Sequence, residues 1–169
     1  AAIRAAGDSA SSIFLEDLLD FLQDKTFREH AMKALHAYGP QMAKTLRLML
    51  HKGQIKENAK QFVPQVIGKF ESQLAVNELF KLLRHKDIVL RLESAKALNE
   101  IKGKFPQYTY SRRRIVRRLL IECKMYQDTL GAMSLQKQIS ERYNDNLMVD
   151  NLDELSARKI FFLLRVTRP

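Results

Sequence analysis

Three segments of this chain follow one pattern: FREHAMKALHAYG at residues 27–39, IKENAKQFVPQVI at 55–67 and LRLESAKALNEI at 90–101. Each segment opens with an apolar and a basic residue, and continues with an apolar pair and a closing apolar residue. A small residue precedes the pair, at Ala31, Ala59 and Ser94. The apolar positions recur at the spacing of one helix face, so the pattern predicts three amphipathic helices of a repeated unit.

A second amphipathic run stands before each of these segments, at residues 13–22, 42–50 and 75–83. The polar links between run and segment are so short that only an antiparallel return fits them. The basic residues Arg28, Lys56 and Arg91 mark the register, with spacings of 28 and 35 residues. These periods are typical of helix pairs, so each unit is predicted to be helix A, a tight turn and helix B.

One helix pair cannot bury both of its apolar faces, but stacked pairs can. The sequence therefore predicts an all-α fold, an α-α superhelix or solenoid of antiparallel pairs that forms one array over residues 1–169. The pairs are expected at residues 13–39, 41–70 and 74–104. Residues 1–7 resemble the end of a B helix and are interpreted as the remnant of a preceding pair. Residues 109–169 do not repeat the unit and are expected to form a helical C-terminal cap.

Several local boundaries follow from single residues. Pro64 removes a backbone donor inside the second B helix and should break it near the preceding turn. Gly68 and Gly103 are expected to be helix C-caps. In the cap, a helix at 111–133 is predicted to continue as a second piece to residue 143. A polar stretch at 144–151 and a last helix at 152–166 follow.

Composition agrees with a helical, basic protein. Gly (6) and Pro (4) are scarce, Trp is absent, and the formal net charge is +10 with a pI near 9.8. Such a charge attracts anionic partners, whether nucleic acid, acidic lipid or an acidic protein face. The single Cys123 has no disulfide partner within the chain, which favours a reducing, cytoplasmic location. It is predicted to be buried, on a stripe with Val116, Leu119 and Leu120.

An Asp and an Arg stand four residues apart in Asp24–Arg28 and again in Asp87–Arg91. This spacing resembles HEAT repeats, in which an Asp of the inter-helix turn and an Arg early in helix B form a ladder between layers. The resemblance implies a structural ladder through these four residues. The middle unit departs from the pattern, because it carries lysines, including Lys56, at both places.

A further likeness extends over about residues 40 to 169. Its elements, in order, are residues 39–50, FVPQVIG at 62–68, residues 90–102 and ARKIFFLL at 157–164. Together they resemble the HEAT-repeat domain found C-terminal to bacterial ATP/ADP-translocase-like membrane transporters. The resemblance implies an interaction or regulatory domain on the cytoplasmic side of the inner membrane. Its partner would be a protein or the membrane portion of its own chain.

The sharpest local feature is RRRIVRR at residues 112–118, with the candidate anion- or partner-binding residues Arg112, Arg113, Arg114, Arg117 and Arg118. On a helix these gather on adjoining faces, and Ile115, Val116 and Leu119 are expected to turn inward. Arg binds phosphate bidentately, so the cluster predicts a contact for acidic lipid, nucleic acid or a nucleotide; the alternative is a solvated face. A second possible interaction face carries Lys33, Lys60 and Lys96.

No pattern of catalysis stands out. The histidines lack the spacing of a zinc site, Cys123 has no evident His partner, and no phosphate-binding loop is present, so neither a metal nor a cofactor is expected. The sequence predicts a non-enzymatic scaffold. The alternative is a basic, nucleic-acid-binding HEAT-like protein; a HEAT-like DNA glycosylase is disfavoured because those enzymes place Trp residues around the lesion.

Overall fold

The computed structural model describes Ile3, residues 14–143, Arg158 and Lys159, with side chains of the longest helix described as far as Leu135. Within these residues the regular structure is helical and no β-strand occurs, which confirms the predicted all-α class. No helix in this part of the chain is both long and apolar enough to cross a membrane.

The chain divides into two compact units, residues 1–110 and residues 111–169. The described helices of the first unit are α1 Leu15–Asp20, α2 Arg28–Ala37, α3 Met42–His51, α4 Glu57–Lys60, α5 Val63–Lys69, α6 Gln73–Leu82 and α7 Ile88–Lys104. The second unit contains α8, Arg112–Tyr143.

The second B helix is broken where Pro64 predicts it. Residues from Glu57 onward form the single turn α4, and α5 begins at Val63 after two turn residues. Pro64 lies in the first turn of α5, where a backbone N–H would have no acceptor within the helix. The break therefore places the proline at a position that tolerates it.

Other boundaries differ from prediction. α8 runs from Arg112 to Tyr143 as one helix, so the expected division near residue 133 is wrong. The predicted remnant at 1–7, the polar stretch at 144–151 and the last helix at 152–166 lie outside the described residues, except that Ile3, Arg158 and Lys159 are helical.

Packing in the first unit joins each helix to its partner and to the next pair. The helices α1 and α2, α3 and α5, and α6 and α7 pack as partners. First helices also contact each other, α3 against α6, and second helices do so too, α2 against α5 and α5 against α7. The contacts between consecutive pairs therefore include one between first helices and two between second helices, and α5 also packs on α6.

The core follows the repeated apolar pattern. The small residues Ala31, Ala59 and Ser94 are each fully buried. Ser94 satisfies its hydroxyl by donating to the Leu90 carbonyl at 2.6 Å, so its burial leaves no donor unpaired. The large positions of the same faces are also buried, among them Leu35, Val63, Val66, Leu98 and Ile101.

Polar contacts also connect consecutive pairs. The Lys56 ammonium donates to the Asp20 carboxylate, and the Gln65 amide donates to Glu93 at 3.1 Å. The hydrogen bond and the charge of Asp20 raise the pKa of Lys56. The ion pair is exposed, so its contribution to stability is small. It connects the first two pairs at their surface.

Gly68 lies where α5 packs closely against α7. A Cβ added at Gly68 would lie 3.2 Å from the Cβ of Ala97 on α7, which is tighter than ordinary contact. Neither Gly68 nor Gly103 is a left-handed cap: α5 and α7 continue through them, and the predicted cap role is wrong. Among the described glycines, those with positive φ are Gly39 and Gly53, in the turns after α2 and α3.

A buried ion cluster lies between α3 and α6. The Glu78 carboxylate is 2% exposed and accepts from Arg47 on α3 and from Lys81 one turn along α6. Burial alone would raise the pKa of Glu78, but the hydrogen bonds from Lys81 and Arg47 hold that pKa below its usual value. Glu78 is therefore ionised at neutral pH and joins two helix pairs.

We predict opposite effects for two glycine substitutions in helices. Gly68→Ala should lower the free energy of unfolding by about 1 kcal/mol, because the methyl group overpacks the contact with Ala97. Gly103→Ala meets nothing within 4 Å and should raise it by roughly 0.5 kcal/mol through helix propensity. Urea unfolding followed by circular dichroism measures both. Equal stabilisation by the two changes would contradict the close approach of α5 and α7.

Glu78→Gln should destabilise the protein by about 3 kcal/mol at pH 7, because it leaves the half-buried Arg47 without its counter-charge. A carboxyl with a lowered pKa stabilises the fold above its unfolded pKa, and that stabilisation is lost as pH falls through the lower, folded value. The difference between wild type and variant should therefore shrink below about pH 4.5.

The matched control is Glu100→Gln, at an exposed position of α7. Its free energy of unfolding should stay within about 0.5 kcal/mol of the wild type at each pH. Urea titrations at several pH values test both variants, and equal losses for Glu78 and Glu100 would refute the structural role of the buried cluster.

Candidate functional site

The arginine cluster lies at the start of α8. The side chains of Arg112, Arg113, Arg114 and Arg117 are exposed. None of these four makes an ion pair or side-chain hydrogen bond with another described residue. The structure therefore presents four guanidiniums to solvent on the first two turns of one helix.

The position of these arginines opposes the stability of the helix itself. The N-terminus of a helix carries a partial positive charge and free N–H groups, so cations there are unfavourable. The first turn of α8 contains no acidic residue to compensate. Arg113 and Arg117 are also four residues apart, a spacing at which like charges repel on the helix surface.

Unbalanced positive charge at a helix N-terminus favours an anion. The free N–H groups, the macrodipole and the guanidiniums all act with the same sign on a phosphate or carboxylate nearby. Arg113, Arg114 and Arg117 can each bind an anion with two parallel N–H groups. The arrangement provides electrostatic attraction and hydrogen bonding for an anion.

Arg118 differs from the other four. Its side chain is 15% exposed, and its Nε donates to the Glu122 carboxylate at 2.8 Å, four residues along α8. The Lys159 ammonium, 2% exposed, pairs with the same carboxylate. Arg118 is therefore committed to a buried ion cluster, Arg118–Glu122–Lys159, within the second unit.

The charge state of this cluster follows from its contacts. Burial would raise the pKa of Glu122, but the hydrogen bonds from Lys159 and Arg118 hold that pKa below its usual value. Arg118 and Lys159 thus share the ionised carboxylate of Glu122 at neutral pH. The ion pair also attaches Lys159 to α8.

The buried face of α8 is narrower than predicted. Ile115 and Glu122 are buried, and Leu119 and Tyr126 are half-buried at the same helical spacing. Val116 is 40% exposed, so the expectation that it turns inward is wrong. It lies about 100° round the helix from Ile115, beyond the edge of this face.

The prediction that Cys123 is buried is wrong as well. Its thiol is half-buried, and Leu120, assigned to the same apolar stripe, is 65% exposed. Cys123 lies beside the buried face, and Leu120 lies about 140° round the helix from Ile115.

The second predicted face is divided by its own ion pairs. Lys60 pairs with Glu57, and Lys96 pairs with Glu93, each three residues away on its own helix. Lys33 is exposed and lines a shallow cleft of about 310 Å³, together with Glu29, Met32, His36, Lys69 and Glu71. Acidic and basic groups alternate on this surface, so it offers an anion much less than α8 does.

The predicted ladder residues hold the turns that precede their helices. The Arg28 guanidinium donates to the carbonyls of Leu22 and Gln23, at 2.7 and 3.2 Å. Its carbon also lies 4.0 Å from the centre of the Phe62 ring, in the next pair. Arg28 therefore stabilises one turn and contacts the neighbouring unit through a cation–π interaction.

Arg91 occupies the equivalent position in the third pair. Its guanidinium donates to the carbonyls of His85 and Lys86, again six and five residues earlier. The aspartates bond to backbone N–H groups: Asp24 accepts from Thr26, and Asp87 caps α7 by accepting from Val89. A ladder that joins Asp of one layer to Arg of the next stays a prediction.

Among the described residues, no group of three or more His, Cys, Asp and Glu side chains could hold a metal ion. His85 accepts from the Asp87 N–H through Nδ1, and burial lowers its pKa, so it is neutral at pH 7. It therefore belongs to the turn before α7.

Sequence reasoning missed both buried carboxylates. Glu78 lies on the apolar face of α6, between Ala75 and Leu82, and this is the signal that could have revealed it. Glu122 lies four residues after Arg118 and three after Leu119, which marks an intrahelical pair on the buried side. Arg118, which pairs with Glu122, could then have been distinguished from the four exposed arginines of the cluster.

No protein-family model, no curated protein and no solved structure matches this chain.

We predict that Glu122→Gln loosens the second unit and leaves the first folded. Loss of the carboxylate leaves the largely buried Arg118 without its counter-charge, at a cost of about 3 kcal/mol. Cys123, the only cysteine, lies next to the cluster and reports on it. Because Cys123 is already half-buried, its labelling by a thiol reagent should be faster in the variant by severalfold.

Asp128→Asn, at an exposed position of the same helix, is the control and should label at the wild-type rate. Labelling of Glu122→Gln at that same rate would show that the cluster does not hold the second unit together.

Proposed function

We propose that this chain is a non-enzymatic scaffold that binds an anionic partner through Arg112, Arg113, Arg114 and Arg117 at the start of α8. The observation that carries the proposal is the exposure of all four guanidiniums at a helix N-terminus, where they oppose the stability of the helix. A local electrostatic conflict of this kind is expected at functional sites.

We propose further that the helix pairs form an α-α superhelix of the HEAT type. Its support is the packing in the first unit, where α3 contacts α6 and α5 contacts both α2 and α7. The equivalent bonds of Arg28 and Arg91 to the preceding turns support a repeated unit as well. Repeat arrays of this kind typically provide binding surfaces.

The resemblance noted in the sequence leads to a more specific proposal. The scaffold would be the cytoplasmic interaction or regulatory domain of a bacterial membrane protein similar to ATP/ADP translocases. The partner would then be a protein, the membrane portion of the same polypeptide or an anionic surface beside it. An antibody raised against this chain tests the idea: in the source cells it should detect a larger polypeptide in the membrane fraction.

Nucleic-acid binding is the second candidate, and the formal charge of +10 favours it. It shares the arginine cluster with the first proposal but needs no membrane protein. Catalysis on DNA is not part of it, because the chain has no Trp to surround a lesion.

We predict that replacing Arg112, Arg113, Arg114 and Arg117 by Gln greatly weakens retention on heparin, used as a soluble polyanion. Binding that depends on four phosphate-like contacts should fall steeply with salt, and the variant should elute at a much lower salt concentration. Helix content by circular dichroism should not fall, because the substitutions relieve repulsion at the start of α8.

The matched control replaces Lys25, Lys44, Lys52 and Lys86 by Gln, which removes the same charge from exposed positions of the first unit. This control should elute close to the wild type. Equal shifts for the two variants would mean that net charge alone governs binding, and the proposed site would be wrong.

A further inference from the structure

One face of α8 combines cations with exposed apolar side chains. Arg113, Arg117, Leu120, Ile121 and Lys124 form this basic apolar face. They lie within about 100° of the helix circumference and over about 17 Å of its length. All five are exposed, Leu120 by 65% and Ile121 by 42%.

The basic apolar face points away from the side of α8 that carries Ile115 and Glu122. Those two residues are buried and lie roughly opposite on the helix. The exposed leucine and isoleucine are therefore not an extension of the core. They form an apolar strip bordered by cations on the solvent side.

We propose that the basic apolar face binds the surface of an anionic lipid bilayer. The guanidiniums of Arg113 and Arg117 contact headgroup phosphates, and Leu120 and Ile121 insert beside them at the acyl boundary. This inference rests on the proposed function, because it names the partner of the same arginine cluster.

The charge pattern along α8 supports an anionic partner. Lys124 extends the positive charge one turn beyond Leu120, and the first exposed carboxylate is Asp128, a further turn away. Each Lys or Arg at an anionic leaflet strengthens binding roughly fivefold, and neutral lipid gives no such gain. Anionic headgroups therefore complement the whole length of the face.

The apolar residues favour a lipid over a nucleic acid. Single strands are bound by aromatic platforms on which bases stack, and this face carries no aromatic residue. Contact with phosphates alone would leave Leu120 and Ile121 in water. A bilayer interface accepts cations and aliphatic side chains from the same helix face, the long cationic stems reaching toward the headgroups.

Vesicle flotation tests the inference. The wild-type chain should bind vesicles of phosphatidylcholine with phosphatidylglycerol and should bind pure phosphatidylcholine much more weakly. Binding should fall as salt rises, because part of the attraction is electrostatic. Equal binding to both vesicle types, or none to the anionic type, would overturn the lipid proposal.

A double substitution separates insertion from simple charge attraction. Leu120→Ser with Ile121→Ser should weaken binding to anionic vesicles by at least tenfold, since two exposed aliphatic side chains no longer enter the interface. Elution from heparin should not change. The two positions are largely exposed, so the variant should fold normally, with circular dichroism as the check.

The outcomes distinguish this inference from the proposed function. If the double variant binds anionic vesicles like the wild type, or if the wild type binds heparin or duplex DNA but no vesicles, the lipid contact is wrong and the arginine contact stands. If the wild type binds neither vesicles nor heparin, both proposals fail.

Discussion

The close approach of second helices is the constraint on which the rest of the first unit depends. Gly68 allows α5 to lie against Ala97 of α7, and the small residues Ala31, Ala59 and Ser94 are buried on the same kind of helix face. With the backbones this near, the large apolar side chains beside them are buried against one another. The remaining contacts between pairs, including Asp20–Lys56 and Gln65–Glu93, join surfaces that this packing has already brought together.

Buried charge has the same form in both units. Among the described residues, each unit contains one buried carboxylate, Glu78 or Glu122, which pairs with an arginine and a lysine. A paired buried charge adds little net stability over an apolar core, but its removal is costly because the partner is left unpaired. We therefore expect these clusters to favour one alignment of the helices more than to increase stability. A misaligned helix would leave a charge buried without its partner.

The sequence predicted the helical class, the three repeated second helices and the break at Pro64 because each depends on local periodicity or on one residue with a fixed backbone property. It did not predict Glu78, whose partner Arg47 is 31 residues earlier on another helix. The arginine cluster is evident in the sequence at residues 112–118. Four of its guanidiniums are exposed and that of Arg118 pairs with Glu122, a difference that depends on which side of α8 is buried. The sequence did not reveal that side, and the burial of Val116 and Cys123 was predicted wrongly for the same reason.

The repulsion among the arginines at the start of α8 has a consequence for how ionic strength acts on this protein. Dissolved salt screens that repulsion and so strengthens the first turns of the helix. The same screening would weaken the attraction to the anionic partner that we propose. Helix order and affinity for this partner would therefore change in opposite directions as salt rises. At low salt, a bound anion would stabilise the first turns of α8. Without the anion, only added salt stabilises them.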